Sequence, residues 1–402
     1  MTNINAGDTA WILTSTALVL MMTPALAFFY GGMVRKKNIL STLNLSFIMM
    51  GLIGVQWVLF GYTLSFGKDV GSFIGDLSFL GFQGVTGAPN EGSTIPHLAF
   101  AAFQATFAII TPALITGAFV ERVKFSTFLV FSLLWATIVY DPLCHWVWGG
   151  GWMGAMGALD FAGGTVVHIA AGFSALAFAL AIGPRRGFPK APMEPHNIPF
   201  TVLGAGLLWV GWFGFNAGSA LAANGQAAYA LVNTNTAAAA AALVWMLLAW
   251  RDGHPSVLGI ATGAVVGLVA VTPAAGFVTP MGAMAIGALA APISFYAIRF
   301  RQKRNLDESL DVWACHGMAG TWGAIATGLF AAKDVGGTDG LFYGNAAQLG
   351  IQAISVAVTI AFVFVVTFVL VKVLDAVMGL RVSRPKEEVG LDLSEHGERA
   401  YS

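Results

Sequence analysis

His168-Ile169-Ala170-Ala171-Gly172 and His316-Gly317-Met318-Ala319-Gly320 are the two stretches on which the reading of this chain turns. Both spell His-x-x-Ala-Gly, both lie inside apolar runs, and an acid stands shortly before each histidine, Asp160 in one case and Asp311 in the other. About 20 apolar residues are what a helix needs to cross the hydrocarbon core of a bilayer. Eleven such runs can be read, at 10–30, 42–64, 98–119, 126–147, 162–182, 198–220, 227–249, 256–272, 278–298, 312–330 and 350–377. They are continuous, unlike the alternating ten-residue segments of a membrane β-barrel. The eighth is short and the seventh is only mildly apolar at 237–242. The histidines fall in the fifth and tenth runs, and an odd offset reverses direction through the membrane. The expectation is therefore an all-α polytopic membrane protein of eleven transmembrane helices, an inverted 5+5 repeat plus one additional helix. In such folds the halves meet around a substrate near the midplane, where each would contribute one histidine.

Composition supports this reading outward from the motif. The 402 residues are 57% hydrophobic and 10% charged, whereas a soluble domain carries roughly 25% charged residues. The formal net charge is zero, so there is no basic excess of the kind a nucleic-acid surface needs. Cys144 and Cys315 lie in apolar runs without ligand spacing, which leaves neither a disulfide framework nor a zinc module. No cofactor and no metal are expected. Placing the N-terminus outside puts every one of the 20 Lys and Arg residues except Lys68 and Lys333 at the cytoplasmic side, as the positive-inside rule requires of an odd number of spans. The first ten residues hold Asp8 and no Lys or Arg, so a cleaved leader is not expected. Residues 67–96 read as a Gly-rich outer loop. The chain divides into a transmembrane domain, 1–377, and a cytoplasmic C-terminal tail, 378–402, too short to bury a core of its own.

An ionisable side chain inside a span is costly and marks function by default. If His168 and His316 face one cavity, each can donate or accept through one ring nitrogen while the other holds its partner. That suits a small uncharged polar molecule, or a proton passed between the rings. Two alternatives stand beside it. One is a pair of neutral histidines bonded to backbone carbonyls in helix packing. The other is metal or haem ligation, which needs further ligands at similar depth; His145 lies near a span end, and His97, His196, His254 and His396 sit in loops or at span ends. Aromatic side chains gather at outer positions: Trp146 and Trp148 after the fourth run, Trp209, Trp212, Phe213 and Phe215 in the sixth, Phe103 and Phe107 in the third. Interfacial belt residues account for such rings equally well. Yet Phe215-Asn216-Ala217-Gly218-Ser219 sets a ring beside a hydroxyl, and aromatic faces with a hydroxyl can hold a small cation. Asp160 opens the fifth run, where a carboxylate caps free backbone amides. Capping is favoured over direct cation coordination, because an ionised carboxylate on the ligand would hold it too tightly for turnover.

The run Asp160-Phe-Ala-Gly-Gly-Thr-Val-Val-His168, continuing to Ala170-Ala171-Gly172 and closing at Arg185, resembles the signature of the ammonium transporter (Amt/Rh) family, on its bacterial and archaeal Amt branch. Trp148-Gly-Gly-Gly151, Trp212-Phe-Gly-Phe-Asn-Ala-Gly-Ser219, Asp311 with His316, and Glu395-His396-Gly397-Glu398 are similar to that family as well, so the likeness covers nearly the whole chain. The resemblance implies ammonium transport by a homotrimer with one pore per subunit, multi-pass in the plasma membrane. It implies that Phe107, Trp148 and Ser219 recruit ammonium, that Phe107 and Phe215 form a gate, that His168, His316 and Trp212 line the pore, and that Asp160 supports the recruitment site. It also implies a PII-type signal protein as a partner on the cytoplasmic face. Ammonia would pass the apolar pore with net charge transfer. The alternatives are an electroneutral ammonia channel, and an ammonium sensor acting through a cytoplasmic partner. A haem-bearing redox protein is a further rival, separable by an optical spectrum. Asp141, near the outer end of the fourth run, has no role in this reading.

Overall fold

A bilayer offers backbone amides no partner but one another, so each apolar run becomes a helix, and side-chain caps fix where several begin. In the computed structural model, which describes residues 4–401, Asn5, Asn197, Asn224, Ser256 and Thr279 accept the backbone amides of Asp8, Phe200, Ala227, Gly259 and Gly282 at 3.0–3.3 Å. The long helices are α1 (Ala6–Met33), α2 (Lys36–Phe66), α3 (His97–Ala118), α4 (Phe125–Ala155), α5 (Gly164–Ile182), α6 (Ile198–Gly218), α7 (Gly225–Asp252), α8 (Val257–Val271), α9 (Pro280–Lys303), α10 (Trp313–Met318 continued by Ala319–Phe330) and α11 (Ala346–Met378). Nine of them among the described residues are long and apolar enough to cross a membrane, and α8 is the shorter apolar helix. The molecule is an all-α polytopic membrane protein. Each expected run coincides with one helix, including the mildly apolar α7 and the short α8.

The packing arranges these helices around one central crossing. α1 lies along α6, α2 and α3 flank α1, and α7, α8 and α9 pack together on the other side. α5 and α10 cross in the middle, and α11 lies against both. The crossing is as close as it is because of the motif glycines. A Cβ at Gly172 would stand 2.1 Å from the backbone nitrogen of Gly317, and one at Gly320 would stand 3.0 Å from Cβ of His168. Positions i and i+4 share a helix face, so the glycine one turn after each histidine clears the space in which the two imidazoles meet. Both helices also open with a π-helical turn, Gly164–Ile169 in α5 and Trp313–Met318 in α10. Each of those turns carries its histidine.

Loops and tail hold the two ends. In the 67–96 loop, β1 (Asp69–Val70) and β2 (Ile74–Gly75) pair antiparallel, with Asp69 opposite Gly75. On the opposite, basic face, Arg185 bonds Asp307 at 2.7 Å and Glu121 at 3.2 Å, and Arg35 bonds Glu121 at 2.8 Å. Burial by itself would raise the carboxyls of Glu121 and Asp307; the arginines outweigh it and hold both below the ordinary range. Beyond α11 the chain forms α12 (Arg384–Val389) and α13 (Leu391–His396). α13 buries Leu391 and Asp392 against the start of α2: Asn38 accepts the Leu391 amide, and Asp392 accepts the Ser41 amide, both at 2.8 Å.

Candidate functional site

The site is built from helix faces. On α6, Trp212, Phe215 and Ser219 follow one another at i, i+3 and i+7 and therefore point the same way. On α3, Phe103 and Phe107 are one turn apart, with ring centroids at 5.0 Å. Phe107 and Phe215 meet across the helix gap at 4.3 Å and 35°. Trp148 ends its stretch of α4, where the carbonyl of His145 accepts the amides of Gly149 and Gly151 and turns the chain. Its indole stands edge-on to Phe107 at 6.0 Å and donates to the Asp160 carbonyl at 2.9 Å. Phe107, Trp148 and Ser219 thus line one vestibule of about 320 Å³ on the side of the 67–96 loop.

Below the phenylalanine pair lies a second, narrow cavity with about 10 Å³ of room for a water-sized molecule, walled by Leu26, Ile110, Val167, Leu208, Val265 and other apolar side chains. His168 and His316 project into it from α5 and α10, together with Trp212 and Phe215. Their Nδ1 atoms are 3.2 Å apart. One Nδ1 must donate and the other accept, and that decides both tautomers. The donor ring keeps a bare Nε2, and the acceptor ring carries its proton on Nε2. The pair therefore has one acceptor and one donor left over, and Nε2 of His168 is buried with no partner among the described residues. Trp212 stacks on His168 at 5.4 Å and 24°, and its indole donates to Thr272 at 2.9 Å. Phe29, Val265 and His316 also border a third cavity, about 210 Å³, which opens toward the basic face past Tyr30 and Asp311. Vestibule, histidine cavity and basic-face cavity stand in file, with the Phe107–Phe215 pair between the first two.

Asp160 meets only protein donors. Its Oδ1 accepts the amides of Gly163 and Gly164 at 2.8 and 2.6 Å, and its Oδ2 accepts those of Thr165 and Val166 at 2.8 and 3.3 Å, together with the Thr165 hydroxyl. A carboxylate so occupied holds the first turn of α5.

Two expectations need correcting, and Asp141 finds a place. Asp311 is not the counterpart of Asp160. It turns away to Arg301, whose Nε lies 2.6 Å from it, and its backbone takes a φ of 60°. The counterpart is Glu308, which accepts the amides of Val312 and Trp313 at 2.9 and 3.1 Å. Asp160 and Glu308 each stand eight residues before their histidine; that spacing was the available signal, and the nearer acid obscured it. Trp146 and Trp209 do not join the aromatic site. Trp146 donates to the Phe73 carbonyl and packs on Phe362, and Trp209 donates to Asn235 on α7. Asp141 is buried and accepts from Gln56 at 2.7 Å, tying α4 to α2, and it lines none of the three cavities.

The other five histidines, His254 among them, line none of the three cavities: His145 bonds Asp69 and the Ser65 carbonyl, His97 bonds Tyr62, His196 bonds the Val34 carbonyl, and His396 bonds Asn44. Among the described residues no group of three or more His, Cys, Asp or Glu is arranged to hold a metal ion.

The sequence model described as the Ammonium Transporter Family matches residues 10–401 of this chain. The chain is similar to ammonium transporter Amt1 of Archaeoglobus fulgidus, with 51% identity over 396 residues that cover 98% of this chain and 99% of that one. Among solved structures it is similar to Mep2 of Candida albicans, with a TM-score of 0.91 and 38% identity over 99% of this chain and 91% of the other. It is also similar to a structure described as "Sensor Amt Protein", with a TM-score of 0.90 and 28% identity over 97% of this chain and 98% of the other.

Proposed function

The chain belongs to the ammonium transporter family, and on that premise we propose that it takes up ammonium through the file of cavities between its two halves. Ammonium enters the vestibule, where the Trp148 and Phe107 rings face its charge and the Ser219 hydroxyl accepts one N–H. Ser219 donates its own proton to the Phe215 carbonyl at 2.9 Å, so its lone pairs are free for that purpose. Entry to the cavity beneath would strip the remaining hydration, at a cost of several kcal/mol for a bare ion among apolar walls. Ammonium avoids that cost by releasing a proton and crossing as ammonia. Ammonia has both N–H donors and a lone pair, and it matches the acceptor and donor that the histidine pair leaves unused. Potassium has no proton to lose, and the same walls exclude it. The released proton enters at the bare Nε2 of one ring, the bridging Nδ1 proton passes to the facing Nδ1, and the second ring gives up its Nε2 proton on the far side, giving net charge transfer. The observation that carries this reading is the 3.2 Å contact between two histidines inside an apolar cavity closed by a phenylalanine pair.

The wider assignment belongs to the same proposal. Residues 1–377 are the transporting unit, with the 67–96 loop outside the plasma membrane and residues 378–402 on the cytoplasmic face. The assembly is a homotrimer, and a PII-type signal protein is its partner at the basic face. Asp160 supports recruitment by positioning α5 and the Trp148 indole.

The test is current recording from reconstituted vesicles during pulses of ammonium and of potassium. Ammonium is expected to give a current and potassium none. His168→Ala is expected to cut the ammonium-to-potassium ratio by at least ten-fold, about 1.4 kcal/mol of discrimination. An unchanged ratio in the variant removes the histidines from the mechanism. An ammonia flux without current in the unaltered protein selects the electroneutral channel. Ammonium binding without any flux selects the sensor reading, which the likeness to the sensor structure keeps in view.

A further inference from the structure

One polar side chain of the vestibule has no part in that route. Gln104 sits on α3 between Phe100 and Phe107, at the i, i+4, i+7 spacing of a single helical face. All three line the vestibule beside Trp148 and Ser219. Gln104 is only 9% exposed, and its Oε1 is buried with no hydrogen-bond partner among the described residues. Buried side-chain acceptors are nearly always paired; this one is enclosed by protein, and a ligand in the vestibule would meet it once the amide turns over. The terminal torsion of glutamine is broad and roughly two-fold, so a half-turn of the amide exchanges Oε1 and Nε2 without moving the chain.

The neighbours say which ligand fits. The rings of Phe107 and Trp148 stand in its wall, where an aromatic π-system attracts a cation, Ser219 offers one acceptor, and no carboxylate lines the cavity. A small cation with several N–H donors needs more than one acceptor to replace the water it sheds. We propose that Gln104 is a direct ligand of the recruited ammonium, its amide carbonyl supplying the second hydrogen-bond acceptor beside Ser219. This inference rests on the recruitment reading above. It adds a residue that sets how tightly the ion is held before the gate.

The experiment measures the half-saturating ammonium concentration and the maximal current for the full-length protein and three variants. Gln104→Leu is expected to raise half-saturation roughly ten-fold while maximal current stays within about two-fold, the signature of one lost hydrogen bond to a charged group. Gln104→Glu keeps an acceptor and adds charge, so half-saturation should fall. Trp148→Leu reports on the vestibule itself and should raise it. Unchanged half-saturation in Gln104→Leu beside a raised value in Trp148→Leu overturns the Gln104 assignment and leaves recruitment standing. No change in either variant removes recruitment as well. If Gln104→Leu does not fold, Gln104→Glu decides: a lowered half-saturation supports the ligand, and an equal or higher one overturns it.

Discussion

Glu308, outside the spans, has a charge that depends strongly on its surroundings. Burial, and then the charge of Asp311, push its carboxyl up to about 7, against Arg301 and the amides of Val312 and Trp313 that favour the ionised form. A carboxyl raised from 4.5 to about 7 on folding binds its proton more tightly in the native state. Stability from this group is therefore full at low pH and is lost as pH rises from about 4.5 to 7, after which it levels off. Thermal unfolding in detergent should show a midpoint that declines across that window, by an amount on the order of a few degrees. Glu308→Gln should flatten the decline, although one of the two capped amides loses its acceptor. A slope identical to that of the unaltered protein would mean that Glu308 is not the titrating group. The window for Glu121 and Asp307 lies lower, because their arginine partners hold them down. Their contribution is present at neutral pH and fades only in acid.

At the scale of the element, α5 and α10 are the pair on which the site depends, and their shared motif has a packing explanation. The histidine brings the polar group, and the glycine one turn later removes the side chain that would keep the partner helix away. Gly172→Ala places a methyl 2.1 Å from the Gly317 nitrogen, so the helices must part. Overpacking of this kind costs about 1–3 kcal/mol, and the shift should separate the imidazoles. The expected result is a protein that still inserts and purifies, with a lowered unfolding midpoint and ammonium current reduced by about ten-fold or more, since geometric slips of an ångström are that costly at a site. Normal current in Gly172→Ala would show that the close crossing is not required. The spans themselves were legible from hydropathy, because run length and helix length are tied by bilayer thickness. The π-helical openings of α5 and α10 were not legible. A widened turn reflects what packs around it and not any local preference of Gly164–Ile169 or Trp313–Met318.

For the whole molecule, the question is which face meets the outside. The basic face carries the Arg35–Glu121–Arg185–Asp307 cluster and the docked tail, and the 67–96 loop occupies the other. Lys68 and Lys190 are both exposed, at opposite faces by the charge pattern, and the two native cysteines are buried. In intact cells, Lys68→Cys should react with a membrane-impermeant maleimide, and Lys190→Cys should react only after permeabilisation. The reverse pattern would invert the assigned orientation and with it the direction of uptake. Much of the lining of the vestibule and the histidine cavity was visible in the sequence as residue types: Phe107, Phe215, Trp148, Ser219 and the histidines. Three things were not. Spacing pointed to Glu308, but a closer acid masked it. Trp209 shares a helix with Trp212 yet faces Asn235, and only the angular position around α6 separates them. Gln104 is an unremarkable letter until its carbonyl is found without a partner.

Hydropathy and charge were sufficient to establish that this chain spans a membrane in helices, because backbone amides in lipid must pair within a helix or a closed barrel, and continuous apolar runs fit only the helix. The repeated motif was sufficient to single out two histidines. Their meeting at 3.2 Å, the closing of Phe107 on Phe215 and the alignment of three cavities came from the folded chain alone. These are contacts between helices far apart in sequence, and steric fit at their crossings, which no single segment encodes, brings them about.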